Sequence, residues 1–234
     1  ITDNVNNTTT YASAFSVTAD AAAPSITLTS IDEYNGTTTT SITVGDVAGV
    51  NVNGTSVWAK SASGPTTASS FRLTYSITDP AGGAGFAANF LGATSAANAC
   101  PATQTGFALT HSNVATNIAD VTTSFPASAT AAGSAVTLYC FYQGTATSVA
   151  PNAALAAVAG KTYTDQVGNT SSAAPSFSYG TESTGPTVGS VTITESAAAI
   201  HSSGTALYVN STVPANQSVT LSWTITDAAA GLEA

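Results

Sequence analysis

The chain repeats itself, and the repeat limits its possible folds more than any other feature. TDQVGN (164–169) echoes TDNVNN (2–7), with Asp165 opposite Asp3 and Asn169 opposite Asn7, an offset of 162 residues. At the same offset Phe177 matches Phe15, Ser178 matches Ser16, Glu182 matches Asp20, Pro186 matches Pro24 and Glu195 matches Glu33. Farther on the offset shortens. Gly204-Thr205 matches Gly54-Thr55 at 150, and VTLSWTITD (219–227) matches FRLTYSITD (71–79) at 148. Deletions in loops produce this pattern, because loops tolerate changes of length that packed elements do not. One complete unit then runs over 23–185. Residues 1–22 read as the last strands of a preceding unit, and 186–234 as the first part of a following one. The expectation is an excerpt of a longer array that continues past Ala234 in the same repeat. The competing expectation is that a second subunit completes the third unit by donating a strand, with 1–20 as such a donor.

FRLTYSITD alternates apolar and polar residues with period two and ends at DPAGG, the pattern of a half-buried strand. VTLSWTITD, SITLTSI (25–31), SAVTLYCFY (134–142) and SAFSV (13–17) read the same way. Asn53-Gly54 predicts a type I′ hairpin, in which both central residues take φ > 0, and Asn35-Gly36 invites the same reading. Residues 152–160 hold a helical turn at most, and no segment carries a long 3.6-residue stripe. The Gly/Ala/Ser-rich stretch 81–130 predicts long loops or an inserted hairpin near Cys100. The fold class is therefore all-β, with antiparallel sheets packed as a sandwich.

Composition decides what such a fold can meet. Charged residues are 6% of the chain, where soluble proteins usually carry roughly 25%. Hydrophobic residues are 43% and mean hydropathy is +0.21, which argues for a folded chain with an uncharged surface rather than disorder. Lys60, Arg72 and Lys161 are the only basic residues, too few for a run of phosphate contacts or an anionic bilayer surface. No apolar run approaches the roughly 20 residues that span a bilayer, so neither nucleic acid nor membrane insertion is expected. Cys100 and Cys140 would pair in an exported protein and stay as buried thiols in a cytosolic one. The rest of the composition favours the disulfide and an extracellular, cell-surface location.

The order of elements carries a resemblance. A proline, a short strand, a Gly-Thr hairpin and the V-x-L-x-W-x-I-x-D strand are followed by Thr164-Asp165-Gln166-Val167-Gly168-Asn169 and by Phe177-Ser178-Tyr179. This order resembles the bacterial immunoglobulin-like repeats of large surface and adhesin-type proteins. The resemblance implies tandem immunoglobulin-like antiparallel β-sandwich domains. At 162 residues the unit is longer than a usual repeat of that kind, and Cys100 and Cys140 lack the tryptophan and tyrosine-corner context of antibody domains.

Candidate chemistry is sparse. Of twelve acidic residues, eight form repeat-matched pairs: Asp3/Asp165, Asp20/Glu182, Glu33/Glu195 and Asp79/Asp227. The first three pairs flank Pro24 and Pro186. With so few basic residues these carboxylates cannot all be in salt bridges. One reading makes Asp3, Asp20, Glu33, Asp165, Glu182 and Glu195 ligands of interdomain Ca²⁺, a hard cation that takes oxygen donors. The other has Asp165 cap its own turn while the remaining acids are solvated. Neither His111 nor His201 has a neighbour at metal-ligand spacing. Asp32-Glu33 is a poor catalytic pair, because adjacent strand residues point to opposite faces. No enzyme is expected. Sequons at Asn6, Asn7, Asn35, Asn53, Asn169, Asn210 and Asn216 are compatible with surface glycosylation, in a chain where Ser and Thr are abundant enough to create many by chance.

Three roles use stacked sandwiches: a subunit of an extracellular filament, sheath or surface layer built by self-association; the spacer stalk of a large adhesin; and a carbohydrate-binding module. Low charge favours packed self-contacts over a bare solvated stalk. The clearest aromatics, Phe71, Tyr75 and Trp223, fall on the expected inward face of their strands, which weakens the glycan reading. A self-associating structural protein is the leading expectation. Any host-glycan or protein ligand would bind regions outside this chain.

Overall fold

The computed structural model describes residues 2–10, 16–34, 47–61, 64–92, 99–113, 126, 128–173, 176–195, 200–210, 212 and 217–232. Its elements are all strands. The first eight are β1 (Ser25–Glu33), β2 (Val50–Asn53), β3 (Ser56–Lys60), β4 (Ser70–Thr78), β5 (Phe107–Asn113), β6 (Ala135–Gly144), β7 (Ala156–Val158) and β8 (Phe177–Glu182). The remaining six are β9 (Thr187–Val188), β10 (Thr192–Glu195), β11 (Ile200–Ser203), β12 (Ala206–Val209), β13 (Val219–Ser222) and β14 (Ile225–Thr226).

The first eight strands form two four-stranded sheets, ordered β1-β4-β6-β5 and β2-β3-β8-β7. Period-two alternation explains how they meet. Phe71, Leu73, Tyr75 and Ile77 of β4 and Leu138, Cys140 and Tyr142 of β6 are wholly buried. They share one core with Val57 and Ala59 of β3 and Phe177 of β8 in the other sheet. Phe71 is central to it: its ring stacks on Tyr142 at 4.6 Å and 4°, meets Phe107 edge-on at 5.1 Å, and reaches Phe177 across the sheets at 5.9 Å. Each such side chain contributes roughly 1.5–3 kcal/mol by leaving water. On the outer face of the first sheet Arg72 pairs with Asp32 at 2.8 Å and lies over the Tyr139 ring at 5.2 Å.

Within the two four-stranded sheets all pairings but one are antiparallel. β3 runs parallel to β8, with Trp58 beside Gly180, a departure from the all-antiparallel expectation. More than a hundred residues separate the two strands, including most of the other sheet, and parallel pairing needs such a long crossover.

The 186–232 segment reproduces six of the eight β1–β4 pairs of the first unit, and its β2–β3 hairpin. Ser30↔Thr74, Ile31↔Leu73, Asp32↔Arg72 and Glu33↔Phe71 in β1–β4 correspond to Thr192↔Ser222, Ile193↔Leu221, Thr194↔Thr220 and Glu195↔Val219 in β10–β13. Ser25↔Thr78 and Ile26↔Ile77 return as Thr187↔Thr226 and Val188↔Ile225. The β2–β3 hairpin returns as β11–β12, with Asn51↔Trp58 becoming His201↔Tyr208. VTLSWTITD, expected as one strand, is divided at Trp223-Thr224 into β13 and β14. The interruption falls at the repeat position that in β4 lies opposite the β1 bulge between Leu28 and Ser30, and the Gly189 N–H to Thr224 carbonyl bond (2.7 Å) carries the ladder across.

Burial does not repeat. Leu73, Tyr75 and Ile77 are 0% exposed, whereas their counterparts Leu221, Trp223 and Ile225 are 54%, 53% and 44% exposed. The inward placement expected for Phe71 and Tyr75 holds, and that expected for Trp223 does not, because among the described residues of 186–232 no strand takes the place of β6 beside β13 or of β8 across from it.

Three further expectations change. Asn53 pairs with Ser56, so the central hairpin residues are Gly54 and Thr55 rather than Asn53 and Gly54. Only Gly54 has positive φ (+60°), as does Gly204 in the second copy (+61°), which is the type II′ pattern with glycine first. The patch 152–160 contains the short strand β7, not a helical turn. Within 81–130, β5 is a full member of the first sheet rather than part of an inserted hairpin. Residues 13–15 of SAFSV and the Asn35-Gly36 turn lie outside the described residues, while 16 and 17 are not in a strand.

Candidate functional site

Asp165 organises the loop that first revealed the repeat. Its Oδ1 accepts the N–H groups of Val167 (2.9 Å) and Asn169 (2.9 Å), and its Oδ2 accepts the Asn169 side-chain amide (2.8 Å). Asp3 makes the same three bonds with Val5 and Asn7. A short acceptor side chain that can fold back on the next four residues explains why the motif requires Asp at its second position and Asn at its sixth. Burial alone would raise the Asp165 carboxyl. The bonds from Asn169, Val167 and Gly168 outweigh it and hold the group below the ordinary value. Asp3 is likewise lowered, first by the Asn7 side chain, then by the Asn7 and Val5 N–H groups.

The Asp165 loop sits at one end of the sandwich, beside the turn that follows β4. Gln166 donates its backbone N–H to the Gly85 carbonyl (3.0 Å) and its side-chain amide to that of Ala84 (3.1 Å). Residues 16–22 arrive at the same place. Asp20 accepts the Ala84 N–H at 2.6 Å, and its carbonyl accepts the Asn169 side-chain amide at 3.2 Å. Asp79, the residue after β4, accepts the Gly85 N–H at 2.6 Å.

Three carboxylates from three separate segments therefore converge. One oxygen each from Asp20, Asp79 and Asp165 lies within 4.8 Å of the others. Asp79 is 0% exposed and Asp165 6%, and Asp20 is half-buried. The second oxygen of Asp79, Oδ1, is buried without a hydrogen-bond partner. A Cβ on Gly83 would lie 2.5 Å from Asp79 Oδ2 and 3.0 Å from Asp20 Oδ2, so glycine is what allows the turn to pass this close to both. Such a group is a hard, all-oxygen donor set.

Of the six acids expected at junctions, the structure brings Asp20 and Asp165 together and leaves Asp3, Glu33, Glu182 and Glu195 out of the cluster. Glu33 accepts the N–H groups of Val47 (2.9 Å) and Val52 (2.6 Å). Glu195 accepts that of Ser202, the counterpart of Val52, and lies 3.9 Å from His201. Glu182 accepts the Ala230 N–H at 2.8 Å, while Asp227 accepts those of Ala229 and Gly231. Asp20 and Glu182 thus each accept an N–H from the loop after an ITD strand, but at different places in that loop: Ala84 lies five residues after Asp79 and Ala230 three after Asp227. Asp79 was the member that sequence reasoning did not place at the site. Its pairing with Asp227 at the end of the ITD strand was the available signal.

Cys100 and Cys140 form the expected disulfide, both buried, with Cα atoms 5.8 Å apart. Tyrosine hydroxyls brace it on either side: Tyr163 donates to the Ala99 carbonyl (2.6 Å) and Tyr142 to that of Pro101 (2.8 Å). The side chain of His111 lies outside the described residues, and that of His201 is largely exposed. No helix among the described residues is long and apolar enough to cross a membrane. Compared with family models, curated proteins and solved structures, the chain matches none.

Proposed function

We propose that this chain is part of a non-enzymatic, extracellular structural protein, an array of immunoglobulin-like repeats that builds a filament, sheath or surface layer by self-association. The observation that carries the reading is the joint made twice. Asp20 reaches Ala84 where one unit enters the next, and Glu182 reaches Ala230 at the following entry. A repeat-matched acid at the end of each unit that fastens to the loop after the next unit's ITD strand ties successive units by the same kind of contact, as a one-dimensional array requires. The scarcity of charge and the buried disulfide support a packed, exported protein.

A fixed joint also serves the spacer stalk of a large adhesin, which needs stiffness without self-contact. Electron microscopy of the protein on its native surface separates the two. A filament or lattice whose repeat matches one unit supports the structural role. Isolated flexible stalks ending in a distinct tip would replace it with the adhesin reading.

A further inference from the structure

We propose that Asp20, Asp79 and Asp165 bind one calcium ion, and that the ion fastens residues 16–22 to the end of the sandwich. Two observations carry this independently of each other. The first is spacing. Two oxygens bound to one calcium at about 2.4 Å stand at most about 4.8 Å apart, and one oxygen from each of the three carboxylates meets that limit. The second is the orphan. Asp79 is fully buried and its Oδ1 has no hydrogen-bond partner. A buried carboxylate oxygen without a donor is costly, and a bound cation is one of the few things that explains it.

Charge balance points the same way. The chain has twelve acidic residues against three lysines and arginines, and its one arginine is engaged with Asp32. Three carboxylates this close repel one another unless a positive charge sits among them. The N–H groups that each carboxylate accepts, from Ala84, Gly85, Val167 and Asn169, hold the oxygens in place before any ion arrives. Calcium suits the site better than magnesium. The cluster is largely closed to water, and magnesium gives up its hydration shell reluctantly, whereas calcium accepts irregular sets of six to eight oxygens.

The consequence is mechanical. Asp20 belongs to the entering segment, Asp79 to the end of β4 and Asp165 to the loop before β8. An ion shared by all three ties the entry to both sheets. The second junction has Glu182 and Asp227 in the repeat positions of Asp20 and Asp79, and among the described residues the three-carboxylate group occurs once.

The test uses the full 234-residue chain stripped with EGTA. Calcium titration should release a saturable heat with one site. About 10 mM Ca²⁺ should raise the unfolding midpoint by roughly 3–11 °C, given the affinities usual for extracellular modules. Amide exchange at Ala22 and Ala84 should slow, and EGTA should reverse each effect. Asp20→Asn and Asp79→Asn should abolish the calcium increment, and Asp3→Asn, in the matching loop outside the cluster, should retain it. Should Asp79→Asn fail to fold, Asp20→Asn, on the half-buried entering segment, decides alone. Absence of both heat and midpoint shift in the unsubstituted chain would overturn the proposal, as would a full-sized shift surviving in Asp20→Asn. An equal response to Mg²⁺ would overturn the assignment to calcium. None of these failures touches the repeat-array reading, which is tested by imaging.

Discussion

The carboxylate of Glu33 accepts the backbone N–H of Val52 at 2.6 Å, holding the end of β1 against the β2–β3 hairpin in the opposite sheet. Glu195 does the same for Ser202 in the second copy. The pair matches at two different offsets, 162 for the acids and 150 for the amides. The bond therefore survived a deletion between its partners.

Glu33→Ala leaves the N–H groups of Val47 and Val52 without this acceptor. The expected cost is about 1–3 kcal/mol of unfolding free energy, read by urea denaturation. Glu33→Gln keeps the shape and one acceptor oxygen, so it should recover part of the loss.

Leu73 and Leu221 occupy the same position of the repeat, with 0% and 54% exposure. Leu73→Ala should destabilise the chain by about 2–5 kcal/mol through lost burial and the cavity left behind. Leu221→Ala should change it by no more than about 0.5 kcal/mol. Equal costs at the two positions would mean that the 186–232 face is covered in solution.

The Cys100–Cys140 bridge closes a separation of 40 residues. Chain entropy alone predicts a loss of about 4 kcal/mol in the Cys100→Ala/Cys140→Ala double variant. Both sulfurs are buried, so reduction of the native chain by dithiothreitol should be slow and should accelerate only as the protein unfolds. Mass shifts after alkylation report it.

Asp3, Asp165 and Glu195 are all held below their ordinary values of 3.8, 3.8 and 4.5. For Asp3 the first cause is the Asn7 side chain, and for Glu195 the Ser202 bonds. For Asp165 the bonds from Asn169, Val167 and Gly168 overcome the upward push of burial. A lowered folded value means the unfolded chain binds protons first, so this stability is complete above the ordinary values and drains away as pH falls through the folded ones. The unfolding midpoint should therefore decline between about pH 5 and pH 2. Asp165→Asn should lower the midpoint at neutral pH and flatten that acid limb.

Much of this architecture was legible because period-two alternation and internal repetition reinforce each other. FRLTYSITD and SAVTLYCFY were each legible as strands, β4 and β6, from their pattern alone, while their pairing was not. What stayed hidden has a physical reason in each case. β5 and β7 are rich in small and polar residues, so their strand character comes from the neighbours they pair with. The parallel β3–β8 pairing joins segments more than a hundred residues apart, and no local pattern encodes it. At the candidate site, Asp20 and Asp165 were visible as repeat-matched acids near junctions. Glu33 and Glu195 carried the same signal yet serve the hairpin, because sequence matching does not reveal which amide a carboxylate meets. Asp79 joins the site through the turn it begins, and only its position in three dimensions brings it to the other two.

Amide hydrogen exchange at Ala84 and Ala230, followed by NMR in the full chain, is the most direct test of a joint that repeats. If the units join alike, both amides are protected, Asp20→Ala releases Ala84 alone, and Glu182→Ala releases Ala230 alone. Exchange of either amide at the rate of an open loop in the unsubstituted chain would mean that the acid-to-loop contact is missing at that joint, and the regular array would lose its structural basis.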